Sequence, residues 1–182
     1  MAVILGISGS LREASHNTNL LRAAAMALPP GIELRLYDEL REIPPYDSDR
    51  DIEPADPAVA SLREAIISAD GVLIATPEYN GSIPGVLKNA LDWTSVPFPD
   101  NVLRGKPVAV IGASTGAYGG MWAQAELRKV LGIIGARVVN ADMSLAKAHE
   151  HFGDDGALPD HHAGRLTNVI DTLLEEVHPL AA

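Results

Sequence analysis

Cysteine is absent from this sequence of 182 residues. Without a thiol, the chain cannot build a disulfide framework, a zinc–thiolate site or a cysteine nucleophile. A metal site would have to use histidine and carboxylate side chains instead. The missing cysteine therefore excludes disulfide-stapled domains and thiol enzymes.

Basic residues are also scarce. Lysine and arginine together number 14 against 24 acidic residues, which gives a formal net charge of −10. A field of this sign repels both nucleic-acid phosphates and the anionic leaflet of a membrane. We therefore expect neither nucleic acid nor a membrane surface as a partner.

Long hydrophobic runs and targeting signals are missing as well. The apolar run at residues 1–7 is too short to span a bilayer and lacks the basic region and cleavage site of a signal peptide. We therefore expect a cytoplasmic protein.

Hydrophobic residues make up 47% of the chain, and neither repeats nor linkers divide it. Residues 1–182 are thus predicted to form a single domain.

The hydrophobic pattern predicts strands that alternate with helices. Strands are predicted at residues 2–7, 32–37, 71–76, 108–111 and 136–140. Helices are predicted at residues 17–28, 57–69, 84–93, 118–131 and 164–177, with a surface loop at 38–57. This alternation indicates an α/β fold with a parallel sheet between helices, and five strands suit the order 2-1-3-4-5. Ligands of such sheets bind beyond the carboxyl ends of the strands, here in the loops after strands one, three and four.

The first of these loops, at residues 6–17, does not contain either of two common nucleotide motifs. Ser8 and Leu11 stand where the pattern G-x-G-x-x-G requires glycine, and the lysine of a Walker loop is absent. Asp38 follows the second strand, where a ribose-binding acid occurs in dinucleotide folds. Without the glycine pattern, a simple strand terminator is the favoured interpretation of Asp38.

The same loop nevertheless suits a phosphate monoester. The hydroxyl of Ser10, the guanidinium of Arg12 and the backbone N–H groups at a helix start are the donors that a phosphate requires. The alternative is that Ser15 or Asn17 only caps the following helix. Ser10 and Arg12 have no such capping use, which favours the phosphate site.

The other two loops suit a flat ligand. In residues 76–85, two prolines stiffen a loop that carries Glu78 and Tyr79, and Asn80-Gly81 supplies a turn whose N–H groups face outward. Residues 112–120 include four glycines in nine positions, which permit close backbone approach to a ring.

Two alternative interpretations involve other chemistry. Residues 112–116 also match the nucleophile pattern G-x-S-x-G, so Ser114 could serve a hydrolase together with Asp142 or Asp154 and a histidine. The absence of an HGGG-type oxyanion segment and the short chain disfavour this hydrolase.

The histidine candidates are His149, His151, His161 and His162. They could also bind a metal, although a solvated loop is favoured because no helix places two of them on one face.

Three sequence segments together resemble the NADPH-dependent FMN reductases. They are GSLREASHN at residues 9–17, PEYNGSIPGVLKNALDW at 77–93 and STGAYGGMWAQAELRKVL at 114–131. This flavodoxin-like group includes quinone, azo and chromate reductases. The resemblance implies a flavodoxin-like three-layer sandwich with a five-stranded parallel sheet of order 2-1-3-4-5. It also implies FMN as cofactor, with NADPH or NADH as cosubstrate.

The resemblance assigns cofactor contacts residue by residue. It implies that the FMN phosphate is held by Ser10, Arg12, Ser15 and Asn17. It implies that the isoalloxazine lies along Pro77, Glu78, Tyr79 and Asn80, and that its other edge meets Ser114, Thr115, Gly116 and Gly120. It adds His16, Gly81 and Gly119 to the cofactor-binding set. No catalytic side chain is expected, because the flavin carries the hydride chemistry.

Two positions depart from the pattern of these reductases. Gly81 stands where an aromatic residue is common, and Trp122 stands where an arginine usually follows the glycine pair. These departures affect the shape of the substrate side and one contact at an interface or at the pyridine nucleotide.

The function implied is hydride transfer from NADPH through FMN to small acceptors such as quinones, azo compounds, chromate or free flavin. A homodimer or homotetramer is expected, with residues 77–80 and the following helix near the interface. The alternative within the same fold is an electron carrier like flavodoxin, which has no pyridine-nucleotide site.

Overall fold

Five parallel strands form the central sheet of the computed structural model, which describes residues 2–53, 55–152 and 158–177. The strands are β1 (Ala2–Ser8), β2 (Ile32–Tyr37), β3 (Gly71–Ala75), β4 (Pro107–Ala113) and β5 (Arg137–Leu145). Their order is β2-β1-β3-β4-β5, so the predicted fold class and strand order are confirmed. Strands β3 and β4 are buried along their whole length, because helices cover both faces of the sheet.

Helices cover the sheet on two sides and create two hydrophobic cores. The helices are α1 (His16–Ala27), α2 (Pro57–Ser68), α3 (Gly85–Thr94), α4 (Met121–Ile134) and α5 (Asp160–Val177). Helices α2, α3 and α4 pack on one face through side chains such as Leu62, Leu91 and Leu127. Helices α1 and α5 pack on the other through Leu21 and Ile170. Among the described residues, no helix has both the length and the apolar character needed to cross a bilayer.

Several boundaries differ from the prediction. Strand β5 continues past Asn140 to Leu145, with an alternating burial pattern that fits an edge strand of the sheet. Helix α4 begins at Met121 rather than at residue 118. Gly119 and Gly120 have φ angles of 60° and 78°, which lie outside the range of a right-handed helix, so the helix starts only after them. Helix α5 begins at Asp160 instead of Gly164. The loop after β2 includes short 3-10 helices at Leu40–Glu42 and Ser48–Arg50, and a third lies at Ala148–Glu150.

Candidate active site

The loops after β1, β3 and β4 meet at the carboxyl edge of the sheet and enclose one cavity of about 130 Å³. Ten of the predicted cofactor residues line it: Ser10, Arg12, Ser15, His16, Asn17, Pro77, Glu78, Tyr79, Ser114 and Thr115. Ala113 also lines it and was not predicted, since an alanine at a strand end carries no chemical signal. The other five predicted residues, Asn80, Gly81, Gly116, Gly119 and Gly120, lie outside this lining and shape the loops around it.

The start of α1 forms one wall of the cavity. Ser15 caps the helix, and its hydroxyl accepts a hydrogen bond from the Thr18 N–H at 3.2 Å. The buried Asn17 amide donates to the Ala113 carbonyl and accepts from the Ala113 N–H, both at 2.9 Å. These two side chains therefore hold the loop in place. What they leave for a ligand is the backbone N–H groups of the first turn, which have no partner inside a helix.

His16 supplies an imidazole to the same wall. Its ring is stacked parallel to Phe152 with a centroid distance of 6.0 Å, and Nδ1 is buried without a hydrogen-bond partner among the described residues. Burial lowers the pKa of His16, and the positive charges of Arg12 and His149 lower it further. The imidazole is therefore mainly neutral near pH 7. Its Nδ1 atom has no hydrogen-bond partner among the described residues.

A tight turn forms the tip of the second loop. Tyr79 and Ser82 exchange backbone hydrogen bonds of 3.0 and 3.1 Å, and the two residues between them, Asn80 and Gly81, have φ angles of 56° and 76°. Positive φ at both central positions is typical of the two-residue Asn-Gly turn. The turn that the Asn80-Gly81 dipeptide predicts is therefore present, and within the described residues neither of its two central N–H groups donates a hydrogen bond.

The Glu78 carboxylate is held by the start of α4. Its Oε2 atom accepts hydrogen bonds from the Trp122 and Ala123 N–H groups, at 3.0 and 3.1 Å. The carboxylate thus caps α4 from another loop, where the partial positive charge of a helix start favours it. Glu78 lines the cavity, but its carboxylate is committed to the helix.

The third loop rests on the segment that follows β5. The Ser114 hydroxyl accepts from the Gly116 N–H at 3.0 Å, and the Ser114 carbonyl accepts from the Ala148 N–H at 2.9 Å. A Cβ atom on Gly119 would lie 2.8–2.9 Å from backbone atoms of residues 144–146. Glycine at position 119 is therefore required by close packing between loops.

Within the described residues, Ser114 lacks the partners that a hydrolase would require. In the described part of the chain, no histidine hydrogen-bonds to Ser114, and Asp154 lies outside the described residues. Asp142 is a β5 residue paired in register with Val110. Helix α4 begins seven residues after Ser114, whereas the elbow of a hydrolase places the serine directly before its helix.

The histidines after β5 form a cluster of rings. Ring centroids of His151, His161 and His162 are 3.9 to 6.3 Å apart, and both ring nitrogens of His162 are buried without partners among the described residues. The Nε2 atom of His149 instead lies 3.6 Å from the Oε1 atom of Glu150. Over the ranges that the structure covers, no group of histidine and carboxylate side chains has the arrangement of a metal site.

Two exposed aromatic side chains lie at the end of the third loop and at the start of α4. Tyr118 and Trp122 are tilted against each other with ring centroids 4.8 Å apart, and each is about half exposed. Trp122 is joined to the second loop through the Glu78 bond to its N–H. Trp122, at the position where the resemblance expects an arginine, therefore packs against Tyr118.

Comparison with known proteins identifies the family. The family model for NADPH-dependent FMN reductase matches residues 2–150. An NAD(P)H-dependent FMN reductase of Pseudomonas aeruginosa is 43% identical over 164 residues, covering 90% of this chain and 88% of that protein. A quinone reductase of Escherichia coli is 40% identical over 173 residues, covering 90% and 91%.

A solved structure agrees with these sequence matches. The flavoenzyme NAD(P)H:(acceptor) oxidoreductase FerB of Paracoccus denitrificans superposes with a TM-score of 0.86 at 32% identity, covering 97% of each chain. The chain belongs to the NADPH-dependent FMN reductase family, a family of flavin-dependent oxidoreductases.

Proposed function

We propose that this protein, acting as one flavodoxin-like domain, transfers hydride from NADPH through FMN to quinones. The observation that carries the proposal is the cavity built from the loops after β1, β3 and β4. Phosphate-binding groups line it on the side of the first loop, and the turn and glycine-rich loops bound it elsewhere. This arrangement suits a molecule with a phosphate at one end and a planar ring at the other.

The residues present fit FMN at its phosphate end. Arg12 is exposed at the cavity and, within the described chain, forms no ion pair. The Ser10 hydroxyl accepts a hydrogen bond of 3.4 Å from the Arg12 backbone N–H. The N–H groups at the start of α1 add a partial positive charge. We infer that these groups hold the phosphate, and that the side chains of Ser15 and Asn17 contribute by fixing the loop rather than by contacting the phosphate directly.

The residues also fit the ring end. The N–H groups of Asn80 and Gly81 donate no hydrogen bond within the described residues, and Pro77 and Tyr79 of the same loop line the cavity. We infer that these N–H groups contact one polar edge of the ring and that Ser114, Thr115 and Gly116 bound the other. Gly119 and Gly120 allow the third loop to take the shape that this requires.

When bound, FMN supplies the chemistry that accepts hydride from the donor and delivers it to the acceptor. The chain's own residues bind and orient. The N–H groups of the turn and of the glycine-rich loop would supply fixed dipoles that stabilise negative charge on a bound ring. No side chain is assigned the role of an essential proton donor.

We infer the preferred acceptor from exposed aromatic side chains on the second loop, the third loop and the start of α4. Tyr79, Tyr118 and Trp122 are 48%, 59% and 49% exposed and offer flat apolar surface to an aromatic molecule. The net charge of −10 disfavours an anionic oxidant such as chromate. Quinones are therefore the proposed principal acceptors, with azo compounds, free flavin and chromate as weaker ones.

We further propose a homodimer, alone or paired into a homotetramer, in the cytoplasm. Support for association comes from apolar side chains exposed around α3 and α4, including Phe98 at 70% and Ile133 at 69% exposure. A chain without cysteine that consumes reduced pyridine nucleotide fits a reducing compartment.

A spectrum and a turnover assay test this function together. The purified protein, supplied with FMN, is expected to show bound flavin in its visible spectrum and to oxidise NADPH continuously when a benzoquinone is present. Bound flavin without steady NADPH oxidation would favour an electron carrier instead. A protein that binds no flavin would overturn the proposal.

A further inference from the structure

A second cleft adjoins the proposed phosphate site. It has a volume of about 300 Å³ and lies between the first loop, the outer side of α1 and the segment that follows β2. Ser10 and Arg12 line both this cleft and the cavity described above. The two spaces therefore meet at the groups that we assign to the FMN phosphate.

Three arginines line this cleft, which we call the arginine cleft: Arg12, Arg22 and Arg41. They belong to three separate elements of a protein with a formal charge of −10. In the described ranges none of the three forms an ion pair, whereas Arg35, Arg63 and Arg137 each do. Unneutralised positive charge gathered in a concave site of an acidic protein favours an anionic ligand.

Neighbouring contacts hold two of these guanidinium groups in place. Arg22 Nη1 donates to the Asn19 side chain at 3.0 Å, and Arg41 Nη2 donates to the Leu11 carbonyl at 2.9 Å. A guanidinium has five N–H donors, so one contact of this kind orients the group and leaves donors for a phosphate. Both side chains are thus oriented while their charge remains available.

The rest of the lining suits a nucleoside rather than a bare anion. Leu11, Leu36, Leu40 and the ring of Tyr37 provide apolar surface for a base. Asp38, at the end of β2, provides a carboxylate that can accept hydrogen bonds from ribose hydroxyls. Phosphate-binding arginines, an apolar wall and a single acid together match an adenosine phosphate.

We propose that the arginine cleft binds an adenosine phosphate next to the FMN phosphate site. The inference rests on the proposed function, because the shared residues Ser10 and Arg12 are placed there as phosphate ligands. Two molecules carry this chemistry: FAD, in which the adenosine phosphate is joined directly to the flavin phosphate, and NADPH, which carries it as a separate nucleotide.

Two titrations of the FMN-loaded protein distinguish these sources. In the first, calorimetry measures binding of 2′,5′-ADP, with adenosine as the uncharged comparison. In the second, added FAD competes with bound FMN, and the exchange equilibrium gives the ratio of their dissociation constants. Both are repeated with Arg22→Gln and Arg41→Gln, and with Arg35→Gln as a matched control that removes an exposed arginine from β2 outside the cleft.

Removing a charged phosphate contact is expected to weaken binding by about tenfold or more. Loss of 2′,5′-ADP affinity in both cleft variants but not in Arg35→Gln supports the proposal with NADPH as the source. A preference for FAD over FMN that the same two variants abolish supports it with FAD as the source. In either case the variants are expected to retain FMN affinity within about twofold.

Three results would overturn the inference. The first is absence of 2′,5′-ADP binding combined with FAD that binds no better than FMN. The second is an equal loss in Arg35→Gln, which would reduce the effect to overall charge. The third is a parallel loss of FMN affinity in the cleft variants, which would assign the arginines to the flavin phosphate. A wild-type protein that never binds FMN would instead refute the proposed function itself.

Discussion

At the scale of single residues, much of the candidate site is held together by the side chains that the sequence singled out. Ser15, Asn17 and Glu78 each use their polar atoms on backbone partners in α1, β4 or α4. Such contacts fix the loops whose residues line the cavity. Arg12 is different, because no described residue forms an ion pair with it.

Replacing Arg12 with alanine is therefore expected to weaken FMN binding. A charge-assisted phosphate contact contributes about 1.5–3 kcal/mol, which corresponds to about tenfold to more than a hundredfold in the dissociation constant. Fluorescence titration of FMN measures the change. Arg35→Ala removes another exposed arginine, one that pairs with Glu33, and should leave the affinity unchanged. Equal affinity in Arg12→Ala and wild type would contradict the phosphate assignment.

Gly81 is expected to control access of large acceptors. A Cβ at this position meets no atom within 4 Å, so a tyrosine side chain would project into open space beside the cavity. Gly81→Tyr should lower kcat/KM for a large quinone more than for a small one. Steady-state kinetics with two quinones of different size gives the ratio. If the ratio is unchanged while FMN remains bound, position 81 does not select acceptors.

Backbone strain at Gly81 needs its own control, because the residue has a φ of 76°. An L residue in this region costs about 1–2 kcal/mol, so Gly81→Ala should lower the free energy of unfolding by that amount. Gly85 also has open space around it but no positive φ. Gly85→Ala in α3 should therefore be neutral or slightly stabilising. Comparing Gly81→Tyr with Gly81→Ala separates strain from side-chain size.

At the scale of elements, the second loop and α4 behave as one unit because of Glu78. Its carboxylate accepts from two N–H groups at the helix start, where capping contacts contribute about 1–2 kcal/mol. Glu78→Ala should lower the free energy of unfolding by at least that amount and weaken FMN binding, since the loop loses its anchor. Chemical denaturation and FMN titration measure the two effects.

Glu126 provides the matched comparison for Glu78. It contacts the same loop through a longer bond of 3.4 Å from the Ile83 N–H. Glu126→Ala should therefore cost less stability than Glu78→Ala. Equal costs for the two variants would show that the cap on α4 is not the important contact.

The sequence predicts elements more completely than it predicts these contacts. Buried strands such as β3 and β4 follow from apolar runs, and the turn at Asn80-Gly81 follows from its dipeptide. The full length of β5 was also encoded, since Val139, Ala141, Met143 and Leu145 alternate with polar residues. That signal extended beyond the predicted boundary.

The contacts of Asn17 and Glu78 could not be derived in this way. Asn17 bonds to a residue 96 positions away, and Glu78 to residues 44 and 45 positions away. No local pattern encodes such a pair, because it depends on how the strands are ordered in the sheet. The sequence therefore predicts which loops form the site, while the side-chain roles within them require the fold.

At the scale of the whole molecule, the apolar surface around α3 and α4 leads to a prediction about assembly. Val96, Phe98, Val130 and Ile133 line an open groove of about 380 Å³ on this side. We expect sedimentation velocity to show a dimer for the wild type and a monomer for Ile133→Asp, because burying an added carboxylate among these apolar side chains is unfavourable. Met26→Asp on α1, where Met26 is 64% exposed, should leave the dimer intact. A monomeric wild type would refute the proposed assembly.

The histidine cluster gives the whole molecule a dependence on acid. Burial lowers the pKa of His162, and the neighbouring charges of His161, His151 and Arg165 lower it further. In the unfolded chain the same imidazole takes up its proton near its ordinary pKa of about 6.5. As the pH falls through that value, the unfolded state binds the proton first, so the stability of the folded state decreases. The decrease ends only once the pH lies below the pKa in the folded protein.

His162→Phe keeps a ring in the cluster without the titrating nitrogens, and should therefore show a smaller drop in Tm than the wild type between about pH 7.5 and 5.5. Thermal denaturation of both proteins across this range tests the expectation, and parallel curves would show that His162 does not contribute to the loss.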